Sequence, residues 1–268
     1  METSTLLYLI FSLFVVLFLR ISHLSVEAQQ TYSDRQLNCY NNINYMNGYF
    51  CNSVQLSCEA YLSFRSNFPY NSPATIGLLL GSEPSLIAEA NDISNYGTIP
   101  TDTQILIPVN CSCSGPYYQY NTSYKLSGRD ETYFTVANNT YQGLTTCQAM
   151  MAQNSYGDRN LTVGLNLVVP LRCACPTSNQ AAAGIEYLLT YMITWGDSVS
   201  SIAELFGVEP QSILDANQLS KESLIFPFTP ILIPLKGRPS TIQRVRRPVF
   251  ASVDMGAASE TSIFCIGA

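Results

Sequence analysis

Two Cys-x-Cys motifs, Cys111-Ser112-Cys113 and Cys173-Ala174-Cys175, are the spacings in this chain best suited to chemistry. In a reducing compartment paired thiolates hold soft metal ions; in an oxidising one they form disulfides. The destination of the chain decides between them. Leu6–Leu19 reads LLYLIFSLFVVLFL, shorter than the roughly 20 residues of a membrane span and suited to the core of a secretory signal. Small residues at Val26-Glu27-Ala28 place cleavage after Ala28, although no positive charge precedes the apolar run, as a signal usually has. An uncleaved signal anchor is the alternative reading. The nine cysteines are Cys39, Cys51, Cys58, Cys111, Cys113, Cys147, Cys173, Cys175 and Cys265. The first eight form an even set, which in an exported chain reads as a disulfide framework, with no metal expected and Cys265 left unpaired. The sequons at Asn110, Asn121, Asn138 and Asn160 fit a glycosylated extracellular surface.

Other reactive groups are sparse. The single histidine, His23, lies inside the expected signal. That leaves no imidazole for a Ser-His-Asp or Cys-His nucleophile or for the common zinc sites. A glycan hydrolase needs two carboxylates some 5–10 Å apart in a cleft. The acids Glu89, Asp130, Glu131, Asp158, Glu186, Asp197 and Glu204 are scattered along the chain. The formal net charge of −6, with a pI near 4.8, suits neither nucleic acid nor an anionic membrane. It suits a neutral ligand, and no cofactor is implied.

The elements that must position these cysteines repeat. Shifted by 126 residues, Tyr61-Leu62 falls on Tyr187-Leu188, Glu83-Pro84 on Glu209-Pro210, Ala90-Asn91 on Ala216-Asn217, and Ile105-Leu106-Ile107-Pro108 on Ile231-Leu232-Ile233-Pro234. A fixed period implies copies of one supersecondary unit. A third, shorter copy runs from about Thr132 to Pro170. In the last copy the short aromatic and β-branched run Tyr187–Ile193 predicts a strand. Asp197 or Ser198 caps a helix with Val199, Ile202, Ala203 and Phe206 at helical spacing, and Gly207 stops it. Pro210 opens a second helix, and Pro230–Leu235 is a second strand, its pairing ended by Pro234. Each unit therefore reads strand, helix, helix, strand, with the strands antiparallel and both helices on one face.

That order, with Gly196-Asp197-Ser198 opening the first helix, Ala216-Asn217 closing the second and an apolar strand ending in proline, resembles the LysM domain. The first copy departs from it, with Asn71-Ser72 where Gly-Asp-Ser is usual. Three such units, joined by Cys-x-Cys and preceded by a cysteine-rich segment, look like the ectodomain of plant LysM receptor-like kinases. The stretches Asp130–Gly157 and Leu171–Thr177 point to the chitin-receptor branch whose kinase is usually degenerate. The resemblance implies an α+β fold of three tandem LysM (βααβ) units clamped by Cys-x-Cys disulfides. The expected divisions are a signal at 1–28, a cysteine-rich segment at 29–60, units at 61–110, 130–172 and 185–235, and a disordered tail at 236–268. The family continues into a stalk, a membrane helix and a kinase. No apolar stretch near 18 residues follows Gly237, so a soluble, secreted or truncated ectodomain is expected, at the cell surface if a longer form carries a membrane helix.

The resemblance also implies a function and a site. The ligands are chitin or related N-acetylglucosamine oligomers, with a LysM receptor kinase as a co-receptor. The groove is expected in the middle copy, between the loop after the first strand (Asn138, Asn139, Thr140, Tyr141) and the loop after the second helix (Tyr156, Gly157, Asp158, Arg159, Asn160, Leu161). Trp195 in the last copy is a further candidate for stacking on a sugar ring. The implied disulfides are Cys111–Cys173, Cys51–Cys113 and Cys58–Cys175. Cys39 and Cys147 are left to pair, tying the N-terminal segment to the first helix of the middle unit. The rival functions are a non-binding module that pairs with another receptor and, less favoured, a glycan hydrolase.

Overall fold

The computed structural model describes residues 30–33, 38–40, 47–51 and 55–239. The expected signal, Cys265 and the tail beyond Pro239 lie outside the described residues. A short strand, β1 (Tyr49–Phe50), precedes the first unit, which comprises β2 (Ser57–Arg65), α1 (Pro73–Leu80), α2 (Pro84–Asn91) and β3 (Gln104–Ser114). The middle unit comprises β4 (Tyr117–Lys125), α3 (Tyr133–Thr135) running into a π-helical turn at Val136–Thr140, α4 (Cys147–Gln153) and β5 (Asn166–Arg172). After α5 (Ser178–Ala182), the last unit comprises β6 (Tyr187–Met192), α6 (Val199–Phe206), α7 (Pro210–Ala216) and β7 (Pro230–Leu235). The fold is α+β in three βααβ units. The middle unit starts upstream of the boundary expected at 130, because its first strand is β4.

Local chemistry sets the helix ends. Ser72, Thr132 and Ser198 each accept a bond from the backbone N–H three residues on, and the hydroxyls of Thr75, Thr135 and Ser201 return it. This capping box satisfies two of the donors a helix start leaves free. The divergent Asn71-Ser72 turn thus keeps its cap. Gly81 and Gly207 stop α1 and α6 in left-handed geometry, at φ 70° and 63°, where a Cβ is disfavoured.

One asparagine staples each second helix to its last strand. Asn91 Nδ2 donates to Ile87 O and Leu106 O (both 2.7 Å), and its Oδ1 accepts from Leu106 N–H. Asn217 repeats this on Ile213 and Leu232. Asn154 repeats it on Met150 and Val168.

The strands form one sheet in the order β1-β4-β3-β2-β6-β7, with β5 on β4. Within each unit the pair is antiparallel. The expectation about strand ends is corrected here. Pro108, Pro170 and Pro234 do not end pairing. They face Tyr61, Asn121 and Leu188 inside their strands, which run on to Ser114, Arg172 and Leu235. Each proline sits where its strand is paired on one side only, so the missing N–H leaves no gap in a ladder. The last unit joins the sheet through β6, which pairs parallel with β2 through Tyr61↔Leu189 and Leu62↔Thr190. Met192 N–H donating to Ser63 Oγ reinforces the joint, and Thr190 Oγ1 donating to Arg172 O ties β6 to the middle unit.

The same joint explains the continuous apolar run Ile105–Ile107. Alternate side chains of a strand face opposite ways. Leu62, Ile105 and Ile107 join the larger core, which draws mostly on the first two units and also takes in Leu188, Ala216 and Leu232, while Tyr61 and Leu106 join the core built around the last unit. Strands buried on both faces need no polar alternation.

Four disulfides join Cys39–Cys147, Cys51–Cys113, Cys58–Cys175 and Cys111–Cys173. Cys147 opens α4, so the N-terminal tie reaches the second helix of the middle unit, not the first.

Candidate functional site

The middle unit does bring the loops after its first strand and second helix together, but with different residues on one side. The first loop is Leu126–Glu131. Leu126 N–H donates to Leu165 O (2.9 Å) and Gly164 N–H to Leu126 O (2.8 Å), stitching it to the second loop. Glu131 closes the first loop on itself, accepting from the N–H groups of Ser127 (2.6 Å) and Gly128 (2.7 Å) and from the Tyr124 hydroxyl. Burial by itself would raise this carboxyl, but those donors hold it below its ordinary value.

In the second loop Gly157 leads into a 3-10 turn at Asp158–Asn160. Tyr156, Gly157, Arg159 and Asn160 are exposed, and Leu161 packs half-buried against the core. Tyr133 OH donates to Tyr156 O (2.9 Å) and holds the turn. Tyr40 of the N-terminal segment, beside the Cys39–Cys147 bridge, donates its hydroxyl to Asp158 and lowers that carboxyl.

Asn138–Tyr141 are not in this pair of loops, which corrects the expectation. They form the π-helical turn that ends the first helix. Tyr141 is wholly buried, its hydroxyl donating to Leu79 O (3.3 Å) and its ring edge-on to Tyr124. The displacement follows from β4. It has no apolar run; its strand signal is the alternation of Tyr118, Tyr120, Thr122 and Tyr124 with polar residues, and with β4 as the first strand the loop after it lies one helix earlier than expected.

Two of the remaining candidates, Asn138 and Trp195, meet in a second concavity of about 1020 Å³. Because β2 and β6 are parallel, the loops after them leave the sheet on the same side. They carry Ser66-Asn67 and Thr194-Trp195, and α3 with the π-helical turn after it closes the cleft through Phe134 and Asn138. Trp195 is 75% exposed, Phe228 62%, Phe226 42% and Phe134 36%. The Trp195 and Phe228 rings meet edge to face at 6.2 Å. Asp197 fixes the Trp195 loop, its carboxylate accepting from Thr194 N–H, Thr194 Oγ1 and Tyr191 OH at 2.8–2.9 Å. The charges lining the cleft, Arg65 and Asp102, pair at 3.1 Å. Gln142 bonds the backbone N–H and C=O of Arg65 from the middle unit. Asn67 Oδ1 is buried without a hydrogen-bond partner.

Phe134, Phe226, Phe228 and Asn67 were not singled out from the sequence. The run Phe226-Pro227-Phe228, aromatic residues in a loop before the last strand, was the available signal. Among the sequons, Asn110, Asn121 and Asn160 are exposed, and Asn138 is half-buried at the wall of the cleft. Among the described residues no group of His, Cys, Asp or Glu is placed to hold a metal ion, and no helix is long and apolar enough to cross a membrane.

Comparison with known proteins agrees with this division. Residues 57–114 match the family model for the NFP/LYK LysM1 domain. Residues 117–172 match the LYK3/4/5 LysM2 domain, and residues 187–235 the LYK4/5 LysM3 domain. The Arabidopsis thaliana protein LYK5 is 48% identical over 253 residues, covering 90% of this chain and 37% of LYK5. Arabidopsis chitin elicitor receptor kinase 1 is 29% identical over 119 residues, 44% of this chain and 19% of that protein. The chain thus spans well under two thirds of the length of these relatives. The crystal structure of the LYK3 ectodomain superposes with a TM-score of 0.59 at 21% identity, covering 69% of this chain and 93% of that one.

Proposed function

The chain belongs to the LYK family of LysM proteins, and from that premise we propose that it binds chitin or related N-acetylglucosamine oligomers outside the cell. The observation that carries this reading is the stitched loop pair of the middle unit. Backbone bonds lock Leu126 to Gly164 and Leu165 at the far end of the second loop, and Tyr133 braces that loop at Tyr156. Fixed peptide groups beside Tyr156 and Leu161 offer a neutral acetamido sugar both hydrogen bonds and apolar contact. One of the relatives is named for chitin elicitation, in keeping with that ligand.

The reading is of binding without catalysis. Glu131 is held ionised by several donors and Asp158 by Tyr40, so neither is poised as a proton donor at neutral pH. A LysM receptor kinase is the proposed co-receptor. Asn110, Asn121 and Asn160, each exposed, are proposed glycan acceptors.

Calorimetry of the disulfide-intact protein with N-acetylglucosamine tetramers and octamers tests the function. Saturable heat is expected, changing less than twofold between low and moderate salt because the ligand is uncharged. Tyr156→Ala, at an exposed side chain of the second loop, is expected to weaken binding at least tenfold without lowering the melting temperature. No heat with either oligomer would refute the function. A tenfold loss with salt would refute the neutral-groove reading.

A further inference from the structure

We propose that the cleft between the first and last units is a second glycan site, distinct from the middle unit's loops, which takes the apolar faces of pyranose rings in an N-acetylglucosamine oligomer. The proposal rests on the reading that the chain binds such oligomers.

Four aromatic side chains converge there and stay in solvent, although the protein has two cores that bury side chains of this size. The most exposed, Trp195, is not loose. Phe228 braces its ring, and Asp197 ties down its loop with three hydrogen bonds. A ring already held in place loses little freedom on binding. A large π face open to water, with a rigid mount, is what the C–H face of a sugar stacks on.

The polar groups point the same way. The charged residues lining the cleft are paired with each other, so nothing in it selects an ion. Asn67 Oδ1 lacks a donor, and an acetamide N–H or a sugar hydroxyl would supply one after a small rotation of the side chain. Aromatic rings interleaved with amide and hydroxyl groups fit an amphipathic ring better than a plain alkyl chain. The walls come from all three units: Asn67 from the first, Phe134 from the middle, Trp195 and Phe228 from the last. No isolated unit contains this site.

Trp195 is the only tryptophan of the chain, so intrinsic tryptophan emission reports on this cleft and no other. The disulfide-intact protein is titrated with N-acetylglucosamine tetramers and octamers, following emission and calorimetric heat in parallel. The expected result is a saturating emission change, with protection from acrylamide quenching, that tracks part of the heat. Trp195→Ala is expected to weaken oligomer binding at least fivefold, and Trp195→Phe to restore most of it, with both melting temperatures unchanged. Should Trp195→Ala misfold, Phe226→Ala keeps the reporter and is expected to weaken the emission-detected binding. Heat with unchanged emission and unaltered affinity in Trp195→Ala overturns the cleft while leaving the function in the middle unit. No heat at all overturns both. An emission change with a long-chain fatty acid but with neither oligomer overturns the assignment to a sugar.

Discussion

Asn91 and Asn217 are 4% and 0% exposed, whereas Asn154, which makes the same three bonds in the middle unit, is half-exposed. The contrast extends through the units. In the outer two, both helices have seven or eight residues; the first starts on a capping serine and stops at a glycine, and the second starts on a proline. In the middle unit the first helix is three residues followed by a π-helical turn. What its own helices do not supply, the neighbours do. Tyr120 OH, Thr122 Oγ1 and Tyr141 OH all donate to carbonyls at the end of α1, and Gln142 holds the backbone of Arg65. Two disulfides, through Cys147 and Cys173, fasten the unit to the N-terminal segment and to the first unit. The middle unit is the dependent one, and its second loop is free to stay exposed because it carries little of the core.

The comparison can be broken most directly at the disulfides. Replacing Cys111 and Cys173 together by Ser is expected to cost about 2–5 kcal/mol, with a separate early transition for the middle unit in a calorimetric melt. One cooperative transition at an unchanged temperature would mean that the middle unit stands alone. The asparagine staples sharpen the contrast. Asn217→Ala leaves a buried N–H and two buried carbonyls unpaired and is expected to cost about 3 kcal/mol. Asn154→Ala, where water reaches the site, is expected to cost about 1 kcal/mol in the same chemical denaturation assay. Equal losses would remove the distinction between the units. Below these come the helix caps: Ser72→Ala and Ser198→Ala are expected to cost about 1 kcal/mol each, and equally, despite the different residue before each serine.

The smallest expected effect is on pH. Glu131 titrates below its ordinary value in the folded state, so its contribution is present above the unfolded pKa, near 4.3, and is lost as pH falls through the folded value. Amide exchange at Ser127 and Gly128, whose N–H groups it holds, is expected to lose protection in acid, and Glu131→Gln to remove that dependence. Protection that persists unchanged in acid would show that Glu131 does not organise the loop.

The 126-residue register, a helix cap at Asp197 or Ser198 (Ser198 in the structure) and the stop at Gly207 were legible along the chain. Each acts within a few residues of itself, through hydrogen bonds or backbone geometry that sequence spacing already specifies. The even set of cysteines likewise implied a covalent framework. Which cysteine meets which was not legible from their spacing, because a bond needs two Cβ atoms brought together in space.

Tertiary structure alone decided three things. The strand β4 alternates Tyr118, Tyr120, Thr122 and Tyr124 with polar residues, a strand signal, but its place between β1, β3 and β5 comes only from pairing across the sheet. Tyr141, a candidate for ligand contact by sequence, is buried because α1 and β4 close over it. Finally, the parallel pairing of β2 with β6 sets Asn67 beside Trp195. Residues so far apart in the chain share a cleft only through a sheet contact that no local period encodes.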